Sequence, residues 1–161
     1  MRGTYKVVGT NITLANQAVT LAFLNPGTTA SFGVRRMWVS QTGVTTGAQQ
    51  RIQNNLQVTA FPTLTGTTPL LTAGIDQVSK LVSGTAGAAG TVGINASAEG
   101  GGAKSNIDPD TFNILSGYLL TLTPDETIMM SAGDTHGFGL HLPVAAVTLA
   151  GWSFGVTFTE Y

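Results

Sequence analysis

The C-terminal segment constrains the fold more strongly than any other part of the chain. From Thr148 onward, large apolar side chains alternate with small ones. One set comprises Ala150, Trp152, Phe154, Val156 and Phe158, and the other comprises Gly151, Ser153, Gly155, Thr157 and Thr159. Because successive side chains of a β-strand point to opposite sides, this pattern predicts a strand with one face in a core. The other face is small enough for a second backbone to lie close to it.

The rest of the chain also favours β-structure. Short runs rich in Val, Ile, Thr, Phe and Tyr are separated by Gly, Pro, Asn and Asp, a pattern typical of strands and turns. Further strands are predicted at Tyr5–Gly9, Ala18–Phe23, Ser31–Gln41, Arg51–Ala60, Thr111–Leu122, Thr127–Ser131 and Gly137–Leu142. About eight strands predict an all-β, single-domain antiparallel β-sandwich over residues 1–161, and a jelly roll in particular.

Two central segments depart from this pattern. Leu71, Ile75 and Val78 recur at helical spacing within Leu70–Val82, which predicts one helix, although Gly74 weakens the prediction. The following segment, residues 83–103, is rich in Gly and Ala and has few side chains large enough to pack. Such a segment buries too little apolar surface to offset its ordering entropy, so it is predicted to be a long loop or an arm that orders against a neighbouring subunit. A tolerated surface insertion is the alternative.

The charge content points towards assembly with other protein. Charged residues make up 9% of the chain, whereas soluble proteins average roughly 25%. A surface of Thr, Ser, Gly and Ala carries little charge to desolvate and therefore suits protein contacts. The net charge of −1, with seven Lys and Arg in the whole chain, disfavours nucleic acid as a direct partner. A small soluble protein of low charge is the alternative.

The cellular location can be addressed only through absent signals. No apolar run reaches the 18 residues of a membrane span, and Met1–Tyr5 lacks the apolar core of a signal peptide. We therefore expect no membrane partner and synthesis in a cytoplasm. The chain has no cysteine, so it offers no disulfide or cysteine metal site.

The best candidate for catalysis is the run that holds Ser131, Asp134 and His136. Residues so close along a turn rarely reach triad geometry, so a polar turn is the favoured interpretation. His136 and His141 lie at odd spacing, which places them on opposite faces of a strand and disfavours a shared metal ion. Asp108-Pro109-Asp110 and Asp125-Glu126 are interpreted as solvated turns, with a calcium site as the alternative. We expect no enzymatic activity, no cofactor and no metal.

Several stretches together resemble small structural proteins of tailed bacteriophages. They are Val34–Gly43 (VRRMWVSQTG), Arg51–Gln53, Phe112-Asn113, Gly117-Tyr118, Thr123–Glu126, Gly137–Leu142 and Val156–Tyr161. The resemblance covers both ends of the chain and skips the glycine-rich middle. It implies a β-sandwich component of the virion, of the kind that decorates the outer capsid as a trimer and clamps neighbouring subunits of the major capsid protein.

The resemblance gives the expected contacts a context. We expect Met1–Thr10, which contains Tyr5, and the arm Ser83–Ala103, which contains Gly93, Ile94 and Asn95, to touch the capsid or a neighbouring subunit. Arg35, Arg36 and Trp38 are further interface candidates, because Arg and Trp are enriched at contact hot spots. The alternative places Trp38 in the core, with one arginine on the outer face.

Two other functions stay open from the sequence. A receptor- or carbohydrate-binding module of a phage tail or fibre is the alternative to a decoration protein, because jelly rolls host many unrelated functions. A hydrolase built around Ser131 and His136 is the third possibility. All-β structure, low charge and a segment that needs a partner favour the structural protein.

Overall fold

A computed structural model describes residues 3–14, 19–57, 68–69, 78–80, 90–96 and 104–161. These residues form twelve β-strands and one short 3₁₀ turn, Pro124–Glu126, and no α-helix occurs among them. The strands are β1 (Gly3–Ile12), β2 (Val19–Asn25), β3 (Phe32–Gln41), β4 (Gln49–Gln57), β5 (Thr68–Pro69), β6 (Val78–Lys80), β7 (Thr91–Ala96), β8 (Lys104–Asn113), β9 (Tyr118–Thr121), β10 (Ile128–Met130), β11 (Gly137–Leu142) and β12 (Trp152–Glu160).

The strands form two antiparallel sheets of six strands each. Sheet A has the order β10-β3-β12-β1-β6, with β9 also paired to β3, and sheet B has the order β5-β7-β2-β11-β4-β8. Phe32 and Phe154 of sheet A and Leu24 and Phe138 of sheet B belong to one hydrophobic cluster. The prediction of an all-β sandwich is therefore confirmed.

The C-terminal strand lies in the middle of sheet A, between β3 and β1. Trp152, Phe154, Val156 and Phe158 are all 0% exposed and form the core face, whereas Ala150 is exposed and precedes the strand, contrary to its prediction. Thr157 and Ser153 on the opposite face are half-buried. A strand bonded on both sides has no free edge, which explains why so regular an alternation is kept over its whole length.

The predicted single strand Thr111–Leu122 is wrong, because two strands and a turn occupy this segment. The chain leaves β8 at Asn113 and returns as β9 from Tyr118. Asn113 holds the turn: its side-chain Oδ1 accepts from the backbone N–H of Leu115, and its carbonyl accepts from Gly117. Gly117 has a φ of +72°, which a residue without Cβ adopts without strain.

The predicted turn at Asp108-Pro109-Asp110 is also wrong. All three residues lie inside β8, paired in order with Asn54, Gln53 and Ile52 of β4. β8 is the edge strand of sheet B. An edge strand tolerates proline, because one row of its backbone groups has no partner strand to bond.

The glycine-rich segment contains a strand, which corrects its prediction as a loop. Residues 91–96 form β7, antiparallel to β2. Val92, Ile94 and Ala96 are 0–4% exposed, so alternate side chains of this segment fill the core. Gly93 makes room for its neighbour, because a Cβ there would lie 2.2 Å from the ring of Phe23. The remaining predicted arm, 83–89 and 97–103, lies outside the described residues.

The predicted helix is contradicted where it can be compared. Val78–Lys80 form the extended strand β6, which pairs with Tyr5, Lys6 and Val7 of β1. The other residues of Leu70–Val82 lie outside the described residues. The helical spacing relied on Val78, whose place in a sheet shows that spacing over a few residues does not separate helix from strand.

Candidate binding surfaces

Three of the predicted interface residues are buried, Tyr5 and Ile94 between the sheets and Gly93 on the other face of β7. Tyr5 is 1% exposed and stacks on Phe158, with ring centroids 5.6 Å apart. Ile94 is 4% exposed, and Gly93 is buried beneath the Phe23 ring. The expectation that these residues contact a partner is therefore corrected. Alternate positions of β1 and β7 are needed for the core and are not available at the surface.

Asn95 is the half-buried member of the same group. Its side-chain Nδ2 donates to the carbonyl of Thr13 at 3.0 Å, and its φ is +54°. Asparagine tolerates this left-handed conformation better than most residues do. Asn95 therefore ties the end of β7 to the segment that follows β1.

Arg35 and Arg36 both lie on the outer face of sheet A, although regular alternation would place neighbouring residues of a strand on opposite faces. The register between β12 and β3 shifts at this point: Thr157 pairs with Arg36, and Phe158 pairs with Val34. The unpaired Arg35 is thus a β-bulge, which breaks the alternation. Arg35 donates to the Thr127 hydroxyl at 2.9 Å and also bonds the hydroxyl of Tyr161.

Trp38 lies on the outer face of sheet A, half-buried, and not in the core. Its indole lies across Gly155 of the neighbouring strand, where a Cβ would come within 2.6 Å of Nε1. The Lys6 ammonium, one strand further on, lies 5.6 Å from the indole centroid. This geometry is that of a cation–π contact. The indole therefore bridges three strands, from β3 across β12 to β1.

Two cavities flank the Trp38 indole. The first, of about 350 Å³, is lined by Lys6, Arg36, Trp38 and Thr157. The second, of about 320 Å³, is lined by Arg36, Trp38, Val39, Ser40, Ser116, Gly117, Tyr118 and Leu119. Among the described residues, the ion pair found joins Asp134 to His136, so no described carboxylate neutralises Lys6 or Arg36. We call these two cavities with their shared indole the Trp38 groove.

A second surface lies at one end of the sandwich, and we call it the apolar loop end. It consists of residues 42–48, 114–117 and 143–151, which connect β3 to β4, β8 to β9 and β11 to β12. Backbone hydrogen bonds join these loops, from Ile114 to Ala48 at 3.0 Å and from Thr42 to Gly151 at 2.8 Å. The side-chain Oε1 of Gln50 holds the third loop by accepting from the Val147 N–H at 3.1 Å.

The apolar loop end exposes large apolar side chains without any charge. Leu115 is 55% exposed, Val147 45%, Leu149 40% and Val144 38%. No Asp, Glu, Lys, Arg or His occurs in residues 42–48, 114–117 or 143–151. Single exposed apolar residues are ordinary, but a grouped set on a charge-free end is typical of a protein contact surface.

The opposite end of the sandwich is polar. Asp134 accepts hydrogen bonds from the backbone N–H and the ring Nδ1 of His136. The His136 side chain is the main cause that lowers the pKa of Asp134, with the backbone bonds adding to it. Ser131 contributes its backbone carbonyl to the turn, accepting from the Asp134 N–H at 3.1 Å. In this part of the chain no hydrogen bond places the Ser131 hydroxyl on His136.

The 3₁₀ turn lies between β9 and β10 at the edge of sheet A and is closed by bonds between Glu126 and Thr123. The Glu126 carboxylate accepts from the hydroxyl and the N–H of Thr123, at 2.8 and 3.3 Å. These bonds lower the pKa of Glu126, with the hydroxyl bond the larger cause. Glu126 thereby caps its own turn, as the acidic residue of a capping box does.

Tyr118 and Asn54 meet at the open side of the sandwich near β8. Burial raises the pKa of Tyr118 to about 12, and the negative charge of Asp108 adds to this effect. The side-chain Nδ2 of Asn54 contacts Asp108 at 3.4 Å, and its buried Oδ1 has no hydrogen-bond partner.

No group of three or more His, Cys, Asp or Glu able to hold a metal occurs within the described ranges.

Arg36 and Trp38 were predicted as interface residues, Lys6 was predicted only as part of the segment Met1–Thr10, and the apolar loop end was not predicted. Lys6 joins the Trp38 groove only because β1 and β3 flank the same strand, an order that spacing along the chain does not reveal. The loop end had a usable signal: residues 143–151 read PVAAVTLAG, apolar yet without strand alternation.

In the described segments, no helix is long and apolar enough to cross a membrane.

Comparison of the chain with protein-family models, with curated proteins and with solved structures finds no match in any of the three.

Proposed function

We propose that the chain is a non-enzymatic structural protein of a tailed-phage virion, a decoration protein on the capsid surface. The observation that carries the proposal is the apolar loop end, with Leu115, Val144, Val147 and Leu149 exposed on three charge-free loops. Burying such a surface removes apolar area from water and desolvates no ion. The resemblance of both ends of the chain to phage structural proteins supplies the kind of particle.

The proposed partners are copies of the chain and the major capsid protein. A ring of three copies would repeat the loop end around an axis, since closed symmetric rings are a common solution for identical subunits. Each contact is small, but three made together raise the effective affinity for a capsid lattice of matching symmetry. The protein is made in the host cytoplasm and acts on the virion.

A jelly-roll topology is part of the proposal. One sheet contains the consecutive neighbours β1-β12-β3-β9, and the other contains β2-β11-β4-β8. This order of eight strands across two sheets is the one expected of two Greek keys, the arrangement of jelly rolls found in capsid domains. The β-sandwich would present loops at both ends and leave the sheet faces for other contacts.

The first test is the molar mass of the protein in solution, measured by light scattering. We expect an oligomer, a trimer under the proposal, and we expect Val147→Asp to lower the mass towards the 16.6 kDa of one chain. A buried unpaired charge costs several kcal/mol and should break a contact of this size. Ala132→Asp, exposed at the opposite end, is the matched control and should leave the mass unchanged. Equal effects of both substitutions would argue against assembly through the loop end.

The second test separates the particle from self-assembly. Quantitative mass spectrometry of purified virions whose genome encodes the chain should find it in many copies, in a fixed ratio to the major capsid protein. Adding the purified protein to particles that lack it should restore that ratio and raise their melting temperature. Virions that contain none of the chain would exclude the decoration role, whatever its mass in solution.

A further inference from the structure

The Trp38 groove has the features of a ligand site on the outer face of sheet A, and its second cavity borders the apolar loop end at Ser116 and Gly117. Lys6, Arg36 and Thr157 occupy one row across three adjacent strands, because Thr157 pairs with Lys6 on one side and with Arg36 on the other. Directly opposite residues in a sheet hold their Cβ atoms about 5 Å apart. The two cations therefore stand on either side of a threonine hydroxyl, at the mouth of the cavity of about 350 Å³.

The charge balance of this face favours an anion. Three of the seven Lys and Arg residues, Lys6, Arg35 and Arg36, lie on it. The described carboxylates lie elsewhere: Glu160 is 1% exposed in the sandwich, and Asp108 and Asp110 lie on the edge strand of sheet B. Asp134 lies in the turn of the polar end, and Asp125 and Glu126 lie in the 3₁₀ turn between β9 and β10 at the edge of sheet A, where Glu126 bonds Thr123. An incoming carboxylate would thus meet two cations that no described acid neutralises. Hydrogen bonds between a cation and a carboxylate are stronger than those between neutral groups.

The Trp38 indole determines which ligand shapes fit between Lys6 and Arg36. It lies across Gly155 and separates the two cavities, so a ligand that spans both must pass over an aromatic face. Hydroxyl groups line both sides, from Thr157 in the first cavity and from Ser40 and Ser116 in the second. An aromatic platform with hydroxyls around it suits a ring that is apolar on its face and polar at its rim.

We propose that the Trp38 groove binds a saccharide that carries a carboxylate, a uronic acid unit or its equivalent. The ring packs over the indole, its hydroxyls exchange hydrogen bonds with Thr157, Ser40 and Ser116, and its carboxylate lies between Lys6 and Arg36. Cavities of about 350 and 320 Å³ are at the small end of ligand sites and accommodate a sugar ring each. An acidic peptide would leave the hydroxyl-lined second cavity unused. This inference does not depend on assembly through the loop end.

The test is titration calorimetry with tri-galacturonic acid, using its fully methyl-esterified form as the neutral analogue. We expect the acid to bind and the ester to bind at least about tenfold more weakly, since hydrogen bonds to a charged group are stronger than those to a neutral one. Arg36→Gln and Lys6→Gln should each weaken acid binding by a similar factor. Arg51→Gln, an exposed arginine on β4 of sheet B, removes the same charge elsewhere and should leave binding unchanged.

A second readout locates the ligand on the indole. The chain has two tryptophans, and Trp152 is 0% exposed, so ligand-dependent protection from acrylamide quenching reports on Trp38. Protection by the acid, lost in Arg36→Gln, supports the groove. The proposal is overturned if no binding occurs, if Arg51→Gln weakens binding as much as Arg36→Gln, or if tri-glutamate binds as tightly as tri-galacturonic acid. The last result would identify a site for acidic peptides.

Discussion

At the scale of single residues, the missing side chain at Gly155 allows the indole of Trp38 to lie across β12 and reach Lys6. Gly155→Ala would place a Cβ 2.6 Å from Nε1, closer than side chains approach, so the indole must swing outward. We expect stronger acrylamide quenching of Trp38 and a loss of about 1 kcal/mol in the free energy of unfolding in urea. Thr121→Ala, exposed on β9, is the control. Unchanged quenching in Gly155→Ala would mean that the indole does not rest on this glycine.

Tyr118 gives the fold a specific sensitivity to alkali. Its pKa is raised from 10.0 to about 12 by burial and then by Asp108, so the folded state disfavours the phenolate. Unfolded tyrosine ionises near pH 10, and the contribution of Tyr118 to stability is therefore lost as the pH rises from 10 towards 12. We expect the melting temperature to fall over this range less steeply in Tyr118→Phe than in the wild type. Parallel curves for the two proteins would contradict the raised pKa.

At the scale of elements, strands with a long regular alternation were predictable, and strands with irregular ends were not. β12 and β11 follow from sequence because each lies between two partners and keeps its pattern. The boundary between β8 and β9 was missed because Ile114 continues the apolar pattern into the turn, where it is 1% exposed. β7 was missed because composition suggested a loop, although Val92, Ile94 and Ala96 alternate strictly within it. Composition averages over a segment and hides the period that decides its structure.

β7 should therefore behave as part of the core and not as a detachable arm. Ile94→Ala removes a side chain that is 4% exposed, and we expect it to lower the free energy of unfolding by about 3 kcal/mol. Thr91→Ala, at a half-buried position of the same strand, should cost below about 1 kcal/mol. Urea unfolding measures both. Equal, small effects of the two substitutions would contradict the place of β7 in the core. By the same reasoning, deleting Ser83–Ala103 would remove a strand and destabilise the sandwich.

At the scale of the whole molecule, the two ends of the sandwich differ in chemistry. The loop end has no ionisable side chain in residues 42–48, 114–117 and 143–151, whereas Asp134 and His136 lie in the turn at the other end. The sequence contained this asymmetry, but the loops that share an end lie far apart along the chain, up to 109 residues between Thr42 and Gly151. Only the strand order brings them together, which is why charge content predicted an interface without its position.

This polarity predicts the orientation of the chain in its assembly. The protein has no cysteine, so a single cysteine introduced by substitution reports on one position without interference. Val147→Cys, at the loop end, should react slowly with a bulky maleimide while the oligomer persists, whereas Ala132→Cys, at the polar end, should react at the rate of an exposed thiol. Dilution to a concentration at which light scattering finds single chains should equalise the two rates, because the partner that covers Val147 has then left. Equal rates at a concentration where the oligomer is intact would place the contact elsewhere on the sandwich, and the sheet faces would be the next surfaces to test by the same method.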